Sequence, residues 1–186
     1  MTAFWRSGET VCAVVDEPEA QLVRRLVTDV QAMLTGDGTA GGSDAGLDVG
    51  VLDWPEAGSP ATPPEDPALA RLLPDGYSDD PDAAAELRRL TERSLRDAKS
   101  RAAQRLLDSL PGDGGSLSLD LPTAEAWLAA LNDVRLVLGT RLNVTEDTAE
   151  NQARGLHEGD DPVAVAYQVY CWLSVVQDDL VAAVCA

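Results

Sequence analysis

Apolar residues recur along this chain with two different periods. Between residues 3 and 15 the period is two: Val11, Ala13 and Val15 fall on one face of an extended segment, and Cys12 and Val14 on the other. Ser7-Gly8 just before this run is a turn signal, so 3–15 is predicted to form a short β-hairpin. From Asp16 the period becomes helical. Leu22, Val23, Leu26, Val27, Val30, Met33 and Leu34 share a face. Pro18 lies in the first turn, Glu19 follows Asp16 at capping-box spacing, and Gly36 is the stop. The pattern then lapses. Residues 36–65 are rich in Gly, Ser, Pro, Thr and Ala and carry acids but no Lys or Arg, which reads as an acidic loop or arm.

Periodicity returns at Asp66-Pro67, which opens a short helix through Leu69, Leu72 and Leu73, closed by Pro74. Asp80-Pro81 opens a long helix to about Ser109. Leu87, Leu90, Leu95, Ala98, Ala102 and Leu106 are predicted to line its core side, with Arg89, Arg93, Arg96 and Lys99 opposite. Pro111 to Gly115 breaks the chain, and Ser116 to Leu121 alternates as a strand that extends the hairpin into a small sheet. Pro122 opens a fourth helix. Its stripe is Trp127, Leu128, Leu131, Val134, Leu138 and Leu142, and Ala129, Ala130, Leu136 and Val137 make the rest apolar too. A helix apolar nearly all round belongs at the centre. After an acidic loop at 143–161, Asp161-Pro162 caps a last helix whose core face is Val165, Val169, Trp172, Leu173, Val176, Leu180 and Ala183. The expected fold is mainly α: one domain over 1–186, with about five helices packed around a buried central helix, a small N-terminal β-hairpin and one further strand.

Charge narrows the partners. Fourteen basic residues against 32 acidic ones give a net charge of -18. Such a charge repels nucleic acid and anionic membranes at long range and favours basic protein partners. No apolar run approaches the roughly 18 residues of a membrane helix, and residues 1–15 lack the apolar core of a signal peptide. Three cysteines are too few and too scattered for a secreted disulfide scaffold. A cytoplasmic protein is expected.

Chemistry is sparse. The single histidine, His157, sits beside Glu158, Asp160 and Asp161 with no zinc-site spacing. The Asp-rich stretches at 75–82 and 158–161 lack the calcium-loop pattern. Gly112 to Gly115 has no following Lys-Ser/Thr, so it is a turn and not a phosphate loop. No metal, cofactor or catalytic residue is expected. Half of the basic residues, Arg88, Arg89, Arg93, Arg96, Lys99, Arg101 and Arg105, crowd into the long helix. They read as a solvated face paired with Glu92 and Asp97, or as a contact surface through Arg89, Arg93, Arg96 and Lys99. Nucleic-acid binding through 88–105 is an alternative against which the overall charge weighs. Asn132 and Asp133, polar amid an apolar helix, read as core hydrogen bonds in preference to a partner contact.

Cys12, Cys171 and Cys185 are the redox candidates. A helical wheel places Cys171 near Ser174, Asp178 and Cys185, away from the core stripe, so both thiols are expected to be accessible or at an interface. Fourteen residues of straight helix separate them by roughly 21 Å, beyond disulfide reach. A bond across a homodimer, or between Cys12 and either of them, stays open.

Three segments carry a resemblance: Asp66 to Tyr77, Ala126 to Leu142 and Tyr167 to Val181, with the run Leu131-Asn-Asp-Val-Arg-Leu-Val-Leu-Gly139 the most specific. Together they resemble the actinobacterial oxidative stress regulators, over most of the chain outside 36–65. The resemblance implies a cytoplasmic, non-enzymatic regulator in which thiol oxidation changes shape. It further implies association with a stress-type sigma factor and raised expression of cysteine-biosynthesis genes. The family's closely spaced N-terminal cysteine pair is not matched: only Cys12 lies there, and no Cys-x-x-Cys or Cys-x-x-x-Cys occurs. A redox-independent adaptor or scaffold is the alternative.

Overall fold

The structure, a computed structural model, describes residues 3–36, 62–77, 79–145 and 162–186. Most of the 36–65 segment, His157 and the Asp161 cap lie outside the described residues. The elements run β1 (Trp5–Ser7), β2 (Thr10–Val15), α1 (Glu17–Thr35), α2 (Pro67–Leu72), α3 (Pro81–Ser109), β3 (Gly115–Asp120), α4 (Leu121–Arg141) and α5 (Pro162–Cys185). This is the expected mainly helical fold with a small three-stranded sheet.

The strands lie in the order β1-β2-β3, antiparallel, with Trp5 opposite Cys12 and Cys12 opposite Ser118. Period-two alternation divides the sheet's faces. Val11, Ala13, Val15, Leu117 and Leu119 are buried, while Trp5, Val14, Ser116 and Ser118 are exposed on the outer face. The chain leaves β2 through Asp16, whose backbone N–H donates to the Glu19 carboxylate (3.1 Å), and α1 ends at Gly36 in the left-handed region (φ 76°).

The turn before β3 depends on Gly114. Its φ is +76°, and a Cβ there would lie 2.7 Å from both the Val15 carbonyl oxygen and the Glu17 nitrogen. Gly114→Ala is therefore expected to destabilise by about 1–3 kcal/mol. Gly112→Ala, with open space around it, should change urea stability by less than about 0.5 kcal/mol.

Helix α4 packs against α1, α2, α3, α5 and the sheet. Trp127, Leu131 and Val134 are essentially inaccessible, as its apolar circumference requires. The Trp127 indole N–H donates to Ser109 Oγ (2.8 Å), and Phe4 meets the ring edge-on at 6.2 Å. Arg24 of α1 donates to the carbonyl of Leu110 (2.8 Å), closing the C-terminal end of α3.

Helix α3 corrects one expectation. Leu90, assigned to the core side, is 72% exposed, and Ala98 is exposed as well. The inner face instead runs through Ala84, Arg88, Glu92, Ala103 and Leu106. Lys99 lies on that inner side, and nine residues at 3.6 per turn put Leu90 half a turn away. The charged residues that mark the outside in the sequence pattern include the ones turned inward.

Candidate functional site

Two sides of α3 carry different chemistry. Inward, Arg88 donates to Glu92 Oε2 (2.8 Å), to Asp75 Oδ1 (2.6 Å) and to the Leu73 carbonyl (3.2 Å). Glu92 also accepts from Arg96 Nε (2.9 Å), and Arg96 reaches the Leu34 carbonyl at the end of α1 (3.0 Å). Burial opposes the Arg88 charge, and Glu92 and Asp75 more than offset it, so the guanidinium is held above its usual range. Arg141 performs a similar tie elsewhere: it donates to Asp66 Oδ2 (2.6 Å), joining the end of α4 to the cap of α2. These pairs position helices.

Lys99 donates to Asp133 Oδ1 across the α3–α4 joint at 2.6 Å. Asp133 is buried, and Asn132 beside it is exposed. Burial pushes the Asp133 carboxyl above the usual carboxylate range, and Lys99 opposes the rise. Asp29 is raised by burial too, opposed by Arg25. Asp120 is lowered by its hydrogen bonds to the Thr123 side chain and backbone.

These directions set a pH dependence. Where a folded-state pKa is raised, the native state binds more protons, so Asp29 and Asp133 add stability as pH falls and lose it as pH rises through their titration. Asp120 acts in the opposite sense, and its contribution is lost only on stronger acidification through its lowered pKa. Protonation also relieves self-repulsion in a chain of charge -18. The melting temperature is expected to rise as pH falls from neutrality toward the ordinary carboxylate range at about pH 4, and to fall on further acidification. A steady fall from neutrality, seen by scanning calorimetry, would contradict these assignments.

Outward, α3 presents Arg89, Leu90 and Arg93, all exposed. Arg89 pairs with Glu86, one turn away. Arg93 makes no ion pair among the described residues. Of the four contact candidates on this helix, Arg89 and Arg93 thus flank an exposed leucine, while Arg96 and Lys99 are engaged inside the fold. Hydrophobicity alone groups Leu90 with the core stripe and hides its place on this surface. Its phase relative to Ala84, Ala103 and Leu106, which do face inward, is the signal that separates it.

The three cysteines are all free thiols. Cys12 is half-buried on the outer sheet face, with Sγ 3.7 Å from Thr10 Oγ1 and 3.9 Å from Ser118 Oγ. Its hydrogen-bond partners are hydroxyls, not the cations that activate thiols. Cys171 is half-buried on α5 and hydrogen-bonds the Tyr167 side chain; burial first, then this thiol, raises the Tyr167 hydroxyl pKa. Cys185 is exposed at the end of the same helix. Arg6, on the strand face shared with Val11, donates to the Val184 carbonyl (3.4 Å). The end of α5 therefore lies on the core side of β1, while Cys12 projects from the other face.

A cleft between the α2–α3 connection and α3 is lined by Leu73, Pro74, Gly76, Leu87, Arg88 and Thr91. Its volume of about 80 Å³ falls well below the roughly 300 Å³ at which small-molecule pockets begin. Among the described residues no three His, Cys, Asp or Glu side chains come together as metal ligands, and no helix is long and apolar enough to cross a membrane.

Comparison with known proteins completes the picture. No solved structure matches the chain. A protein of Mycobacterium leprae named putative oxidative stress regulator AosR is 37% identical over 193 aligned positions, covering 97% of this chain and 85% of that protein. The oxidative stress regulator AosR of Mycobacterium tuberculosis H37Rv, and its counterpart in Mycobacterium bovis, are each 40% identical over 164 positions, covering 74% of this chain and 73% of theirs. The profile of the family described as a domain of unknown function (DUF2017) matches residues 1–184. The chain belongs to that DUF2017 family, whose mycobacterial relatives are named as oxidative stress regulators.

Proposed function

We propose that this protein is a non-enzymatic, cytoplasmic regulator of the oxidative stress response that acts by binding a transcription component, a stress-type sigma factor in particular, and supports expression of cysteine-biosynthesis genes. The observation that carries the regulatory part is the similarity to named oxidative stress regulators over 97% of the chain. The outward face of α3 is the proposed docking surface. Leu90 is the most exposed large apolar side chain of the described residues, and Arg89 and Arg93 flank it. Arginine is among the residue types that carry most binding energy at protein interfaces, and Leu90 supplies apolar surface between the two.

Redox control is the finer part of the reading. Cys171 and Cys185 are held apart by one continuous helix, and Cys12 faces away from the end of that helix. Oxidation within one chain would require α5 to leave the sheet. The reading therefore places the oxidant-induced bond between two copies, through Cys12 or the exposed Cys185. The rival is a redox-independent adaptor, favoured by the hydroxyl surroundings of Cys12. The test combines intact mass under non-reducing conditions, before and after mild peroxide, with co-elution alongside a purified stress-type sigma factor. A disulfide-linked dimer with altered co-elution supports the sensor. Three free thiols and unchanged co-elution in both samples leave the adaptor, and no co-elution in either state removes the sigma factor.

A further inference from the structure

Thirteen of the 14 basic side chains in the whole sequence are arginines, and Lys99 is the single lysine. That one ε-amine does not lie on the solvated surface, where lysines usually sit. It is in the α3–α4 joint, its side chain 19% exposed, with Nζ 2.6 Å from the carboxylate of Asp133, whose side chain is only 4% exposed. We infer that Lys99 is a gated acyl-acceptor site, closed by Asp133 in the folded chain and opened to activated acyl donors when α3 and α4 part.

The chemistry follows from the pair. Acylation needs the nitrogen lone pair, and an ammonium held against a buried carboxylate does not offer one. Once the joint opens, the amine nitrogen attacks the acyl carbonyl carbon, the C–N amide bond forms, and the bond from that carbon to the leaving group breaks. Two protons leave the nitrogen: one to solvent as the ammonium becomes an amine, one with the leaving group. The product is neutral. Asp133 then loses its counter-charge, and an unpaired buried carboxylate opposes closure of the joint. The mark is thus taken up by the opened state and retains it. The arginines, which are protonated at all relevant pH values, offer no competing acceptor, so among side-chain amines the modification has one address.

The test uses the full-length protein and N-hydroxysuccinimidyl acetate as the acyl donor, read by peptide mass spectrometry with the N-terminal amine as internal reference. Relative to that reference, Lys99 should acetylate at least about 10-fold more slowly in the folded chain than in urea-unfolded chain. Asp133→Asn should close most of that gap. Because Asp133→Asn can impair folding, a second measurement follows the wild-type chain in urea below its unfolding midpoint, where the Lys99 rate should climb steadily. A chain acetylated in urea and then refolded should melt at a lower temperature than a mock-treated one. Equal Lys99 rates in the folded and unfolded chain, or an acetylated chain that melts like the mock-treated one, would overturn the inference.

Discussion

Replacing Trp127 with alanine is expected to cost the fold about 3–5 kcal/mol, the largest effect of any single core truncation here. Trp127 is wholly buried, and it belongs to the helix that contacts the sheet and the other four described helices. Truncation removes the indole from between these layers, and close-packed neighbours relax only partly into the space. It also removes the edge-on contact with Phe4 and leaves Ser109 Oγ without its indole donor. Urea denaturation monitored by circular dichroism should show the midpoint falling with an unchanged slope. A loss below about 1 kcal/mol would mean that α4 is not the centre of the core.

The second large effect is expected at Glu92. Its carboxylate is 6% exposed and receives both Arg88 and Arg96. Glu92→Ala leaves the Arg88 guanidinium, 5% exposed, with Asp75 as its one remaining carboxylate. Breaking a buried pair by removing one partner costs about 3–5 kcal/mol, because the other charge stays desolvated. Arg96 would also lose the anchor that aims it at the Leu34 carbonyl, so the contact between α1 and α3 should loosen. Exchange of amide hydrogens near the end of α1 should quicken in this variant well before global unfolding. Unchanged protection there, with stability within about 0.5 kcal/mol of the parent, would mean that the network is incidental.

Much of the architecture is legible in the sequence because local signals agree. Asp66-Pro67 and Asp80-Pro81 each open a helix where the carboxylate caps a backbone N–H, Asp66 at Ala68 and Asp80 at Ala83. The all-round apolar character of 121–141 marks α4 as the buried element. The alternation at 116–121 supplies the third strand, whose register on β2 follows from which faces must be buried. Helix α3 departs from its sequence pattern for a physical reason. Hydrophobicity locates a buried face only when burial is apolar, and this face buries Arg88 and Glu92 as a compensated pair. A pattern of residue types carries no sign of which charges will neutralise each other across a joint.

The proposed contact surface is legible only in part for the same reason. Arg89, Arg93, Arg96 and Lys99 look equivalent along the sequence. Their roles separate only when the fold brings Leu34 to Arg96 and Asp133 to Lys99. The thiols show a parallel limit. The helical wheel keeps Cys171 off the main core stripe, but Tyr167, one turn earlier, is itself buried and holds the thiol half-covered. That Cys12 and the end of α5 occupy different sides of the sheet follows from topology, which no spacing of cysteines encodes.

The outward face of α3 is, on this reading, where the regulator meets its partner. The most direct measurement is a calorimetric titration of a purified stress-type sigma factor into the parent protein and into the double variant Leu90→Asp, Arg93→Glu. Both side chains are exposed, so the variant should melt within a few degrees of the parent. It is expected to bind at least about 10-fold more weakly, a loss of about 1.4 kcal/mol or more. Equal affinity for the two proteins would contradict this assignment and move the docking surface elsewhere.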